Sequence, residues 1–325
     1  MDNKVIVGID GGGTYTRVAI TDADGNLLSY IEYKGGVARR KNPNPKANIF
    51  NAIQEALKKA GCDLSHVMGL AAGIAEYDSE EDLVWIRELT KIDGLQCPVQ
   101  HINDSVVANA GAHLLKPGII AISGTGSIIL GISETGQHIR NYDFCHYAAT
   151  AARFLSYDCV HQIIAGNAEH SDASLVNAAL SHFGAEDVPA LSKVGGEGFL
   201  RDRMERDKHF GDFAPVITTA ALQGSRLAMF ICNKAASDIV TGIRLVGSCF
   251  ASGSVPVALI GSVVNCEFIK KEVDRLLLEE RQNKHYCLVE PAVPPAFGAV
   301  IIAMQLCGIN LSEKVLARVC SHYGE

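Results

Sequence analysis

The chain has 325 residues, 48% hydrophobic and 20% charged, a globular composition with room for two ordinary domains that excludes general disorder. Its 36 acidic and 29 basic residues give a net charge of −7, and the absence of a dense basic face argues against nucleic acid as the main partner. Apolar runs such as 118–122 and 255–260 are too short to cross a bilayer, and the opening residues lack the make-up of a signal peptide. Ten cysteines occur without C-x-x-C spacing, which indicates neither a zinc ribbon nor a thioredoxin-type site and fits the reducing cytoplasm.

The first strand, 5–9, is the run Val5-Ile6-Val7-Gly8-Ile9, and it leads into Asp10, three glycines and Thr14. Gly11, Gly12 and Gly13 let the backbone turn sharply and present N–H groups to an anion, so with Thr14 they form a candidate phosphate loop. Asp10 beside that loop would repel phosphate unless a cation lay between them, so it reads as holding Mg2+, directly or through water. Strands 16–22 and 27–34 follow, separated by the hairpin signal Asp24-Gly25-Asn26. An amphipathic helix spans 47–60 and stops at Gly61. Strand 67–72, helix 79–90, strand 99–102 and helix 105–115 complete the first run of elements, ahead of Pro117.

Between strand 99–102 and its helix lies Asn103-Asp104-Ser105. Ligands of open α/β sheets bind at that edge, so Asp104 reads as the base that takes a proton from a hydroxyl attacking a phosphoryl group. The competing reading of an Asp just before a helix is an N-cap.

From residue 119 the same element order restarts: strand 119–122, a second glycine loop, strand 128–132 and strand 138–141. In that loop Gly124, Thr125, Gly126 and Ser127 would wrap the β- and γ-phosphates through backbone N–H groups and both hydroxyls, with a tight hairpin as the competing reading. A mostly helical region spans 150–251, followed by strand 255–260, helix 265–280, strand 286–289, and helices 295–307 and 312–322. Gly261 and Ser262 would let an adenine or ribose lie against the backbone, with a helix N-terminus adding positive charge; a plain strand-to-helix turn competes. The repeat places a first domain at 1–116 and a second, with a helical insertion, at 117–325. Two matched loops point to two half-domains closing on one ATP.

With 10–14, Asp104, 123–127 and 261–263 in this order, nearly the whole chain resembles the actin/hexokinase/Hsp70 superfamily. Within it, the chain is similar to the BadF/BadG/BcrA/BcrD-type group that includes N-acetylglucosamine kinase. The resemblance implies an α/β fold of two ribonuclease-H-like domains, ATP and Mg2+ in the cleft between them, and a last helix packed back on the first domain. It puts Asp104 at the position of the kinases' catalytic aspartate. The implied activity is ATP-dependent phosphorylation of a hydroxyl on an amino sugar or related carbohydrate by a cytoplasmic enzyme. Neither nucleic acid nor membrane is implied as a partner, and a homodimer stays open.

On the acceptor side the resemblance points to Asn103, Asp104 and the loop Arg39-Arg40-Lys41-Asn42, where related kinases place a sugar-binding asparagine. Arg39 would recognise an anionic acceptor, against the competing reading of a solvated polar loop. One region departs from the pattern: the kinases' Trp-Gly and Gly-Asp-Glu-Gly-Ser run is missing from 141–154, leaving Asp143 and His146 as stand-ins. Two alternatives remain: an ATPase activator of a CoA-ester dehydratase or reductase, holding an iron–sulfur cluster near Cys145, and a non-catalytic ATP or sugar sensor.

Overall fold

Seven consecutive buried residues make β1 (Val5–Gly11) a central strand, and an unbroken apolar run is what a strand covered on both faces requires. In the structure, a computed structural model that describes residues 4–40, 42–279 and 283–321, β1 pairs antiparallel with β2 (Thr16–Asp22), and β2 with β3 (Leu27–Tyr33). On its other edge β1 pairs parallel with β4 (Val67–Ile74), and β4 with β5 (Val99–Asn103). The order is β3-β2-β1-β4-β5. A second sheet repeats it with β6 (Gly118–Ser123), β7 (Ser127–Ile132), β8 (His138–Arg140), β9 (Ser254–Ile260) and β10 (His285–Val289), in the order β10-β9-β6-β7-β8. Again the first strand has antiparallel hairpins on one side and parallel partners on the other.

The chain divides into two units, Met1–Pro117 with Glu290–Glu325, and Gly118–Val289. The division after Pro117 lies one residue beyond the expected boundary, but the expected second domain, 117–325, is cut short at 289. The reason is α10 (Pro295–Leu306), whose residues from Ala296 to Met304 are all buried; a helix apolar all round needs partners on every side. In the first unit α10 lies against β1 and α3 (Asp104–His113). Gly8 permits the contact, since a Cβ there would strike the backbone of Ala296 and Val300. The last helix, α11 (Glu313–Ser321), rests on the β2–β3 hairpin, with Arg318 Nη1 3.5 Å from Asp24 Oδ1; His322, expected in it, lies outside the described residues. On the opposite sheet face α1 (Pro45–Ala60) buries Ile49, Ile53 and Leu57, and Gly61 ends it in the left-handed region at φ 69°. α2 (Leu83–Leu89) joins it there through Ile86 and Leu89.

In the second unit the helical region resolves into α4 (Ala152–Ile164), α5 (Ala173–Phe183), α6 (Val188–Gly196), α7 (Arg203–Leu222) and α8 (Arg226–Gly247). Its core is aromatic: the buried Phe210 ring stacks 4.1 Å from Tyr157 and lies 4.7 Å from Phe183 and 4.9 Å from Phe199. After β9 comes α9 (Glu267–Leu277). It starts two residues later than expected, because the Val263 and Val264 N–H groups donate to the Ser123 carbonyl and hold a turn instead. Gly261 therefore has no helix N-terminus beside it.

Candidate active site

In the first unit, Asp10 is the penultimate residue of β1, and its antiparallel partner on β2 is Arg17. The pairing puts Arg17 Nη1 3.3 Å from Asp10 Oδ2, while Arg17 Nε sits 2.7 Å from Glu32. Asp10 is 7% exposed. Burial pushes its carboxyl above the ordinary range, and Arg17 pulls against that shift. Asp104 opens α3, but it is not the cap. Asn103 is: its Oδ1 accepts from the Ser105 N–H at 2.9 Å, and its Nδ2 donates to the Tyr77 carbonyl at 2.8 Å. That leaves the Asp104 carboxyl at the first helical position, beside the N–H groups that open the helix rather than serving as its N-cap. Desolvation, then the charge of Asp10, pushes it up to about 7, with Asp78 adding to the shift and backbone N–H groups of the helix start opposing it. Such a group is half-ionised near neutral pH, which suits a general base.

The first glycine loop closes on itself through the Gly12 N–H, 3.0 Å from the Tyr15 carbonyl. Asn42 braces it: Nδ2 donates to the carbonyls of Gly13 (3.2 Å) and Ala38 (3.0 Å), and Oδ1 accepts from the Gly36 N–H at 3.2 Å. The amide of Asn42 is thus committed to backbone. Arg39 is exposed and has no partner among the described residues; Lys41 lies outside them.

In the second unit, the Ser123–Ser127 pair closes the β6–β7 hairpin around Gly124, Thr125 and Gly126. The segment is the tight hairpin of the competing reading, and the N–H groups of Thr125 and Gly126 at its tip make no hydrogen bond within the described residues. Thr125 is exposed. The Ser127 hydroxyl is already donated to the Ala148 carbonyl at 3.0 Å, which leaves Thr125 the freer of the two hydroxyls. Gly261, at φ 108°, lies directly against this loop; a Cβ there would meet the Ser123 carbonyl, so the position demands glycine. Ser262 beside it is exposed. The unit therefore brings the second glycine loop and the Gly261–Ser262 turn together.

The Asp143 carboxylate is engaged locally, accepting from the Arg140 N–H at 2.8 Å and pairing with its guanidinium at 3.0 Å. His146 turns its ring toward α8 near Gly242, where its buried Nδ1 has no hydrogen-bond partner. Sequence reading missed Arg17 and Asp78. Of these, Arg17 was accessible, since a hairpin turning at residues 12–15 must set residue 17 opposite residue 10.

Asp10 and Asp104 fit a Mg2+ ion by their chemistry. One carboxylate is buried with its pKa raised, the other is raised partly by the first, and a cation relieves both. Among the described residues no group of three or more His, Cys, Asp or Glu could hold a metal. Mg2+ itself takes one or two carboxylates and fills its shell with water and phosphate oxygens. No helix among the described residues is long and apolar enough to cross a membrane.

The BadF/BadG/BcrA/BcrD ATPase family model matches residues 7–303. A Clostridium acetobutylicum N-acetylmuramic acid/N-acetylglucosamine kinase is 25% identical over 324 residues, spanning 94% of this chain and 99% of the relative. The Vibrio cholerae glucosamine kinase GspK is 26% identical over 241 residues, 72% of this chain and 77% of its own. Among solved structures, a Chromobacterium violaceum protein provisionally named an N-acetylglucosamine kinase superposes with a TM-score of 0.72 at 21% identity, covering 93% of this chain and 99% of its own. A Streptomyces griseus ROK glucokinase, solved with glucose and AMPPNP, gives 0.58 at 18% identity, covering 92% and 98%. These two likenesses show the fold. The extent of the family match settles the rest: the chain belongs to the BadF/BadG/BcrA/BcrD ATPase family.

Proposed function

We propose that this chain is an ATP-dependent kinase that phosphorylates a hydroxyl of an amino sugar or related carbohydrate. Its family is one of ATPases, and both curated relatives named above are amino-sugar kinases. The observation that carries the reading is Asp104, a carboxyl at the first position of α3, behind the Asn103 cap, held near neutral pKa by burial and by the charge of Asp10.

Asp104 takes the proton of the acceptor hydroxyl as that oxygen bonds to the γ-phosphorus. The bridging oxygen leaves with ADP, and Asp104 later returns the proton to solvent. Asp10 would hold Mg2+, and the bound ion would supply positive charge against the oxygens of the transferring group. The N–H groups of the glycine loops donate to phosphate oxygens, and Gly261 and Ser262 give the adenosine a close approach to backbone. Arg39, exposed on the loop that braces Gly13, is the group suited to an acceptor that carries a carboxylate. One curated relative is named for such an acceptor, N-acetylmuramic acid.

The test is ADP release with Mg·ATP across amino sugars, N-acetyl amino sugars, sugar acids and plain hexoses. One acceptor class should stimulate release, and Asp104→Ala should lower it by about 10²–10⁴-fold while nucleotide still binds. Turnover retained in Asp104→Ala removes the base assignment. No stimulation by any acceptor replaces the kinase reading with a sensor.

A further inference from the structure

Both glycine loops are tied from behind in the same manner. In the first, the carbonyls of Gly11, Gly12 and Gly13 accept from the Ala75 N–H (2.9 Å), the Val37 N–H (2.9 Å) and Asn42 Nδ2 (3.2 Å). In the second, the carbonyls of Gly124, Thr125 and Gly126 accept from the Ala152 N–H (2.8 Å), Arg153 Nη1 (3.0 Å) and the Gly124 N–H (2.9 Å). A trans peptide points its C=O and N–H in opposite directions. Each anchored carbonyl therefore aims the next N–H away from its anchor. Among the N–H groups aimed this way are those of Gly13 and Thr14 in one loop and Thr125 and Gly126 in the other, none with a partner among the described residues. In each loop one carbonyl is held by a side chain: Gly13 by Asn42, Thr125 by Arg153.

We propose that Asn42 and Arg153 are the positioning residues of the two loops, each locking one peptide plane so that its N–H, on Thr14 or Gly126, faces the phosphates of a nucleoside triphosphate. The inference rests on the nucleotide reading above. Each locked plane borders a glycine, Gly13 or Gly126, whose backbone turns at little cost. Without its anchor the plane can rotate and set a carbonyl oxygen against the phosphate. Arg153 is itself fixed: its guanidinium lies 4.3 Å over the Phe154 ring and 3.7 Å from Asp207, which also accepts the Tyr157 hydroxyl at 2.9 Å. Asn42 carries no charge, so its loss reports on backbone anchoring rather than on charge.

The experiment is equilibrium binding of a fluorescent ATP analogue to the full chain, with KM for ATP and for the acceptor measured on the same proteins. Asn42→Ala and Arg153→Ala should each weaken ATP binding about tenfold or more, the scale of losing one well-aimed hydrogen bond to a charged group. They should raise KM for ATP but not for the acceptor, and leave the melting temperature near that of the parent. Arg153→Lys, which keeps a donor, should recover most of the loss. ATP binding unchanged in either alanine variant overturns the inference and leaves the kinase reading standing. A loss in Arg153→Ala with none in Asn42→Ala reduces Arg153 to a plain charge effect and also overturns it. An acceptor KM that rises in Asn42→Ala with ATP binding intact assigns that residue to the sugar. Failure of the parent protein to bind the analogue removes the nucleotide reading and this inference together.

Discussion

Replacing Asp104 with Asn removes an ionisable group that the fold keeps protonated to higher pH than water does. Burial and the Asp10 charge hold its carboxyl at about 7, against an ordinary 3.8. The stability contributed by the neutral acid is complete below the unfolded pKa and is lost as pH rises through the folded one. Each pH unit of that window is worth about 1.4 kcal/mol, so ionising Asp104 in the fold costs up to ~4 kcal/mol by pH 8. Asn has nearly the same shape and no charge. Asp104→Asn should therefore exceed the parent in stability by up to ~4 kcal/mol at pH 8, by ~2 kcal/mol at pH 5.5, and by almost nothing at pH 4. Urea unfolding of both proteins at those three pH values, with EDTA present to exclude Mg2+, measures the difference. A gap that stays constant with pH, or a parent more stable at pH 8, refutes the reasoning. The variant should be inactive while it is more stable, since an active-site carboxyl is kept at the expense of the fold.

The same titration should shape activity. With Mg·ATP bound the Asp104 pKa should lie below its metal-free value, so kcat/KM for the acceptor is expected to fall about tenfold per pH unit on the acid side of a break below pH 7 and to level off above it, and a profile flat from pH 4 to 8 would exclude Asp104 as the base. Gly8→Ala drives a methyl into the α10 backbone and should destabilise the first unit by about 1–3 kcal/mol or more; an unchanged melting curve would show that α10 moves aside freely. Phe210→Ala empties the centre of the aromatic core and should cost about 3–5 kcal/mol in urea unfolding. A loss below about 1 kcal/mol would mean the surrounding rings collapse into the space.

Much of this fold is written in local pattern. The β-branched runs mark the strands, Asp24-Gly25-Asn26 marks a hairpin, and both glycine loops fall where an apolar strand ends. What local pattern lacks is partner choice. Helix α10 follows β10 in sequence, yet its all-apolar surface is claimed by β1 and α3. The choice between Asn103 and Asp104 as cap turns on which side chain reaches the Ser105 N–H, a one-residue matter that composition leaves even. Asn42 entered as a sugar-binding candidate through the resemblance, and its three bonds to backbone form only when residues 36–42 fold back against the first glycine loop. Asp143, an acidic residue in the right neighbourhood, had a local arginine to satisfy first.

The return of residues 290–325 to the first unit also sets an order of assembly. A ribosome delivers β1 to β5 early, but the sheet face formed by Ile6, Ala19 and Ala71 is covered only in part, by Val107 and Ala110 of α3, until α10 emerges some 290 residues after β1. The second unit is one continuous segment and can finish while the first still waits. The half that is synthesised first is thus completed last, and any pause or cleavage before residue 295 strands an apolar surface that chaperones must cover.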